Sequence, residues 1–318
     1  MSLAGILATA VLPVVGLAAV GAALGRYAAV DPEPLTTVVV YVLAPALVFH
    51  SLATTAVGAG TVLRVAVGVA AVAVAVGAVA AAVGRLRGHD DALVGALVLV
   101  TAFGNTGNYG LPLSAFAFGG VGRSTAVVYL VAQSVLLFSA GVYLAAWSGG
   151  SRGGAGARRV LELPLIYAVG AALAARRFGL VPPPGTDLMA TVRLVGDAAV
   201  PVMLLVLGLQ LERADIAASL GRVAEPTVLR MAVAPPVAVG VAAALGLDPP
   251  GVARTFVLQS SMPTAVFPLV LLTEFAGDAT VDGTPLPQYA GAVVLVTTLV
   301  SVPALTALIA VLRSGAVV

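Results

Sequence analysis

Two interruptions rich in glycine and proline cut apolar stretches of this chain, and they contain the residues best suited to bind a small polar molecule. The first covers residues 104–112 (GNTGNYGLP) and the second covers residues 260–268 (SSMPTAVFP). Asparagine amides both donate and accept hydrogen bonds, and so do serine and threonine hydroxyls. The side chains that we predict to line a binding site are Asn105, Asn108, Ser261 and Thr264.

Glycine and proline also explain why a helix would stop at these points. Glycine raises the entropy cost of a helix, and proline removes a backbone donor and crowds the preceding turn. Inside a bilayer, unwound backbone persists only where protein or a wet cavity satisfies its N–H and C=O groups. Broken helices at matching positions of two halves indicate a transporter site near the bilayer midplane. We therefore predict a helix crossover at Gly107, Gly110, Pro112, Pro263 and Pro268.

Crossing half-helices would direct their N-terminal ends, which carry partial positive charge, toward one point. Such a point suits a carboxylate without a buried cationic side chain. The alternative is that both interruptions are proline kinks, in which the asparagine and serine side chains only satisfy freed backbone groups.

Three ionisable residues fall within apolar stretches and are candidates for coupling or gating. A carboxylate at the centre of a membrane helix costs about 2.5–3.5 kcal/mol, so Asp197 needs a proton or a partner such as backbone N–H groups or Arg193. His50 titrates near physiological pH and could relay protons, or it could be a satisfied interior residue. Arg230 could pair with Asp197, face an anionic substrate, or extend its charged end to the membrane interface, because it follows Pro226 by only four residues.

The amino-acid composition indicates that these residues lie in helices that span a membrane. The chain of 318 residues is 60% hydrophobic and 9% charged, with a mean hydropathy of +1.09, whereas about a quarter of a soluble domain is charged. A membrane-spanning helix takes about 20 residues. Ten stretches of suitable length carry few or no charges: residues 1–25, 35–63, 65–84, 92–122, 124–151, 161–178, 188–209, 226–247, 255–273 and 283–312.

A glycine-rich basic segment divides these stretches into two groups of five. Residues 148–160 form this short linker, which separates a predicted first repeat (residues 1–147) from a second (residues 161–318). An odd number of spans in each half places the halves in opposite orientations, as in inverted-repeat carriers. The distribution of arginine slightly favours an N-terminus outside the cell.

Proline positions support a relationship between the halves. Pro45 and Pro201 are 156 residues apart, and Pro112 and Pro268 are separated by the same interval. The net charge of +2 does not indicate a nucleic-acid partner. Because the chain has no cysteine and a single histidine within a span, we predict no metal site and no redox cofactor.

Four segments in order resemble the auxin efflux carrier (PIN-like) family, part of the bile-acid/arsenite transporter superfamily. They are residues 41–49 (YVLAPALVF), 105–113 (NTGNYGLPL), 196–201 (GDAAVP) and 262–268 (MPTAVFP). The resemblance covers nearly the whole chain.

The resemblance implies an all-α polytopic membrane protein with a sodium/proton antiporter-like fold: ten helices in a 5+5 inverted repeat, with broken helices 4 and 9. It implies a scaffold domain of helices 1, 2, 6 and 7, which also forms a homodimer, and a transport domain of helices 3–5 and 8–10. Elevator-type movement would carry small organic anions. Asn105 matches the asparagine that contacts the substrate carboxylate in plant members. Plant members have a long central loop where this chain has its short linker, so regulation by phosphorylation of such a loop is not expected. Prokaryotic members are associated with malonate, malate or similar carboxylates, so the resemblance does not imply auxin as the substrate.

The predicted function is therefore that of a secondary transporter, a permease in the cell membrane that moves a small organic anion such as a mono- or dicarboxylate. Potential-driven uniport, proton coupling and sodium coupling all stay open at this point. The alternative is a membrane receptor that binds a carboxylate without flux. The sequence contains no nucleophile–base–carboxylate set and no P-loop, so we predict neither enzymatic activity nor a cofactor.

Overall fold

The computed structural model describes residues 12–54, 59–150, 164–183, 185–212, 223–281, 283–315 and 317. The beginning of the predicted first span and most of the predicted linker lie outside these residues. Within them, nearly the whole chain is helical.

The helices are numbered in chain order. Those of the first half are α1 (Leu12–Ala28), α2 (Pro32–Val38), α3 (Ala44–Thr54), α4 (Ala59–Leu86), α5 (Asp91–Ala102), α6 (Leu111–Leu136) and α7 (Val142–Ser148). Those of the second half are α8 (Pro164–Arg177), α9 (Asp187–Asp197), α10 (Ala199–Glu212), α11 (Ala234–Ala244), α12 (Pro250–Ser260), α13 (Phe267–Ala276) and α14 (Leu286–Ser314).

Short non-α elements connect several of these helices. The π-helical turn Val39–Leu43 joins α2 to α3, and Leu137–Gly141 joins α6 to α7. A two-stranded antiparallel hairpin of β1 (Thr280–Val281) and β2 (Thr284–Pro285) lies between α13 and α14. Two further π-helical turns, Thr106–Gly110 and Leu229–Val233, precede α6 and α11.

The described residues contain five helical stretches that are long and apolar enough to cross a membrane: Pro32–His50, Gly60–Leu86, Ala117–Ser148, Val223–Ala244 and Leu286–Ser314. Helices α5 and α13 are also apolar but shorter. Both are short because each adjoins one of the two predicted interruptions. The protein is thus a polytopic helical membrane protein, and the ten-helix 5+5 repeat remains a prediction.

Apolar side chains also cover the outside of the helices. Leu63, Val74 and Leu194 are 65%, 71% and 72% exposed. A helix that is apolar on all sides is typical of a membrane span, because its outward apolar side chains contact lipid instead of water.

One group of helices packs around α1 and α3. Helix α1 lies along α10, and α3 contacts α8 and α9. A Cβ atom at Gly21 of α1 would overlap the carbonyl group of Leu205, and one at Gly196 would crowd the backbone of Leu47. Glycine at these positions therefore allows the close helix contacts that dispersion forces need in a membrane.

A second group surrounds the two interruptions. Helix α4 packs against α5 and α11, α12 packs against α6, and α13 packs against α7 and α14. Leu99, Phe138, Leu271 and Val293 belong to the hydrophobic core that encloses this region. Within α6, Gly119 has φ 63° and ψ −142°, so the helix breaks there, at the turn predicted between the fourth and fifth spans.

Candidate functional site

The two interruptions contact each other through their backbones. Gly104 and Thr264 form an isolated antiparallel bridge. The Asn105 N–H donates to the Pro263 carbonyl at 2.7 Å, and the Ala265 N–H donates to the Phe103 carbonyl at 3.0 Å. These two bonds therefore pair four backbone groups that the broken helices leave free.

The local sequence explains where the second half-helices begin. Pro268 occupies the second position of α13, where a missing N–H leaves no hydrogen bond unmade. Pro112 occupies the second position of α6, which continues the turn Thr106–Gly110, so this half-helix begins at Thr106. Close packing also requires glycine. A Cβ atom at Gly104 would overlap the Arg230 guanidinium, and one at Gly110 would overlap the Gln259 amide.

The C-terminal ends of α5 and α12 meet on one side of the crossover. Arg230, in the turn Leu229–Val233, is 1% exposed. Its Nε donates to the Met262 carbonyl at 2.6 Å and its Nη1 donates to the Thr101 carbonyl at 2.9 Å. The interpretation that Arg230 extends to the membrane interface is therefore wrong, since the guanidinium is held in the interior by carbonyl groups of two other segments. Within the described residues it forms no ion pair with Asp197.

The N-terminal ends of α6 and α13 border a cavity on the other side. The cavity has a volume of about 260 Å³. Its wall is mostly apolar, with Leu47 and Val48 of α3 facing the crossover residues. The polar residues in its lining are Asn105, Thr106, Gln133, Ser134 and Asp197.

Asn105 is a predicted substrate-binding residue that lines this cavity. It is 7% exposed, and its backbone is tied to Pro263. Among the described residues, its side-chain amide has no hydrogen-bond partner. An unpaired amide beside a cavity is a ready partner for a ligand oxygen.

Gln133 of α6 was not singled out from the sequence, yet it organises the first interruption. Its Nε2 donates to the Gly104 carbonyl at 2.7 Å and to Thr106 Oγ1 at 2.9 Å, and its Oε1 accepts from the Gly104 N–H at 3.3 Å. The available signal was a glutamine deep inside an uncharged span, because a polar group in a membrane helix requires a partner.

The other predicted polar residues have different surroundings. Thr264 Oγ1 donates to the Val100 carbonyl at 2.9 Å, and Ser261 Oγ donates to the Val257 carbonyl at 2.7 Å. Both residues are buried and neither lines the cavity. The backbone of Asn108 belongs to the turn Thr106–Gly110, and its side chain lies outside what the structure describes.

Gly107 also lines the cavity, and so does Asp197 at the end of α9. Asp197 is exposed. His50 of α3 is half-buried and close enough to Asp197 and Arg193 for their charges to interact. The structure thus places Asp197 at the cavity with His50 near it outside the lining, and it places the third titratable residue, Arg230, behind the crossover.

Partial positive charge and one carboxylate border the cavity. Two helix N-termini, each with partial positive charge, face the cavity together with the Asn105 amide. Asp197 is the ionisable residue among the described lining residues, and it lies on the opposite wall with Leu47 and Val48. An anion at the crossover would meet hydrogen-bond donors there and a carboxylate across the cavity.

Comparison with known proteins agrees with this architecture. A family model described as "Membrane transport protein" matches residues 6–152 and 160–309. An uncharacterized transporter from Methanothermobacter thermautotrophicus is 27% identical over 246 residues, which covers 77% of this chain and 80% of that protein. The chain is therefore a multi-pass membrane protein that belongs to the membrane transport protein family, the auxin efflux carrier (PIN-like) family that its sequence resembles.

Proposed function

We propose that this membrane transporter is a permease for small organic anions, such as mono- or dicarboxylates. The observation that carries the proposal is the cavity bordered by two half-helix N-termini and by the Asn105 amide, which has no hydrogen-bond partner among the described residues. Helix N-termini bind anions through unpaired N–H groups and the helix dipole. The amide adds donors whose direction selects a planar carboxylate.

Cavity size supports a small substrate. The volume of about 260 Å³ lies below the roughly 300–1,000 Å³ of pockets for drug-sized ligands. The mostly apolar wall would accommodate a short carbon skeleton, while the polar groups at the crossover would bind its carboxylate.

The packing supports an elevator-type mechanism. Leu47, Val48 and Asp197 belong to the group of helices around α1 and α3, whereas Gly104 and Ala265 belong to the group around the interruptions. A cavity between these two groups would change its exposure if one group slid along the other. In this proposal the first group is the scaffold, which would also form the homodimer, and the second carries the substrate.

The membrane potential supplies enough energy for export without a coupling ion. Moving one charge through 100 mV yields about 2.3 kcal/mol. A negative interior would therefore drive an organic anion out of the cell.

Flux through the purified protein tests this proposal. Proteoliposomes would be loaded in parallel with acetate, malonate, malate or indole-3-acetate, and a potassium gradient with valinomycin would set the potential. We expect saturable efflux of at least one anion, accelerated by an interior-negative potential and absent from protein-free liposomes. Saturable binding without flux would contradict the permease and favour a receptor.

A further inference from the structure

Arg230 lies where the two first half-helices end. Thr101 belongs to the last turn of α5, and Met262 follows the end of α12 by two residues. The carbonyl groups of both residues accept hydrogen bonds from the same guanidinium. A single side chain therefore joins the C-terminal ends of both interrupted helices.

Helix C-termini carry partial negative charge, and in transporters with broken helices such ends and the adjoining carbonyl groups coordinate the coupling cation. In this protein the Arg230 guanidinium occupies the position beside both half-helix C-terminal ends. We propose that Arg230 is a resident cation, which supplies the positive charge that both half-helix ends require and excludes a sodium ion from the crossover.

The environment of Arg230 supports this role. The side chain is 1% exposed, and within the described residues no carboxylate forms an ion pair with it. Its Nη2 has no hydrogen-bond partner in the described structure and packs against Gly104, where a Cβ atom would not fit. The carbonyl groups at the helix ends are thus the acceptors that offset the buried charge.

Arginine suits this position better than lysine. The guanidinium stays protonated and presents several donors in a rigid plane, so it can bridge two carbonyl groups at once. The lysine ammonium is a compact group on a flexible chain, so it would contact the carbonyl group of one helix end more readily than those of both helix ends.

The inference bears on one of the coupling mechanisms that the sequence left open, since an occupied cation position would leave no place for sodium at the crossover, while potential-driven uniport and proton coupling both stay open. Its consequence for flux rests on the proposed transport function. The role of Arg230 as the resident cation can be tested on purified protein without any substrate. A failure of that role and a failure of the proposed transport function can therefore be distinguished.

Sodium titration of the wild-type protein is the first test. Thermal unfolding in detergent would be followed as NaCl replaces choline chloride at constant ionic strength. A specifically bound ion raises Tm with concentration according to its affinity. We expect superimposable curves in the two salts. A saturable rise in Tm that is specific for sodium would overturn the proposal.

Charge variants of Arg230 are the second test, with Arg313→Gln as a control for the loss of an exposed arginine. Arg313 of α14 also donates to a backbone carbonyl, that of Ala117, but away from the crossover. We expect Arg230→Gln to lower Tm by about 5 °C or more relative to Arg313→Gln, and NaCl to restore part of this loss.

Arg230→Lys separates charge from shape. It keeps the charge and loses the two-carbonyl contact, so we expect a Tm between those of wild type and Arg230→Gln. A lysine variant no more stable than the glutamine variant, or an Arg230→Gln variant as stable as Arg313→Gln, would contradict the role of the charge. If no Arg230 variant can be purified, the wild-type sodium titration decides.

Discussion

The crossover has two sides that the same interruptions build and that differ in charge and access. On one side α5 and α12 end, and their carbonyl groups contact the Arg230 guanidinium in the protein interior. On the other side α6 and α13 begin beside a cavity of about 260 Å³, where the Asn105 amide is unpaired among the described residues.

Helix polarity accounts for the difference. The C-terminal ends require positive charge, and a side chain of the protein provides it permanently. The N-terminal ends favour negative charge, and the cavity leaves that position to a molecule from outside. In this view the arginine stabilises the framework, and the substrate meets amides and helix ends without a cationic side chain.

Adding a methyl group at Gly104 should disturb both sides and have the largest effect. An alanine Cβ would overlap the Arg230 guanidinium and lie 3.2 Å from the Met262 carbonyl oxygen. We expect Gly104→Ala to cost about 2–3 kcal/mol of stability, measured as loss of folded protein on size exclusion after heating.

Gly240→Ala is the control, because a Cβ atom there meets nothing within 4 Å. Alanine favours a helix over glycine, so this variant should be as stable as wild type or slightly more so. Equal stability of the two alanine variants would show that the close packing against Arg230 is unimportant.

Removing the Gln133 amide should disturb the side of the crossover that borders the cavity. Gln133→Leu leaves the Gly104 N–H and carbonyl without these bonds, at a cost of about 2 kcal/mol. Where this cost falls on the conformation that binds the anion, flux should fall about 30-fold. Ser134→Ala also changes the cavity wall but removes a bond within its own helix, to the Leu130 carbonyl, and should reduce flux less than about twofold. Similar losses in both variants would argue against a specific role for Gln133.

Truncating Asn105 should affect binding without affecting folding. Since its amide has no partner among the described residues, Asn105→Ala should keep the wild-type Tm while KM for the transported anion rises about tenfold, as expected for one lost hydrogen bond to a charged ligand. Initial rates in proteoliposomes would measure KM. Unchanged transport would remove Asn105 from the site, and a large fall in Tm would indicate a structural role.

Neutralising Asp197 should give the smallest effect, in the opposite direction. The carboxylate shares the cavity with the proposed anion, so Asp197→Asn should lower KM about fivefold by removing repulsion. Flux would be measured with and without a pH gradient. If a pH gradient accelerates wild-type flux and the variant loses that response, protons are coupled through Asp197, and the potential-driven mechanism is wrong.

Local features of the sequence predicted much of this arrangement. Proline at 268 predicted where α13 starts, because a missing N–H leaves no bond unmade at the start of a helix. Pro112 indicated the first interruption, although the helical backbone there begins at Thr106. Asn105 could be singled out because an amide within an apolar span requires a polar role. Thr264 and Ser261 were equally plausible by that reasoning, but their hydroxyls bond to carbonyl groups away from the cavity.

The sequence by itself determined that the chain is a helical membrane protein with two interrupted helices, since composition and the positions of glycine and proline act over a few residues. Only the tertiary structure decided which groups meet at the interruptions. Arg230 bonds to carbonyl groups 32 and 129 residues away, and Gln133 bonds to Gly104 29 residues away. Contacts at such separations depend on how the helices pack, so no local pattern distinguishes an arginine that joins two helix ends from one that extends to the membrane surface.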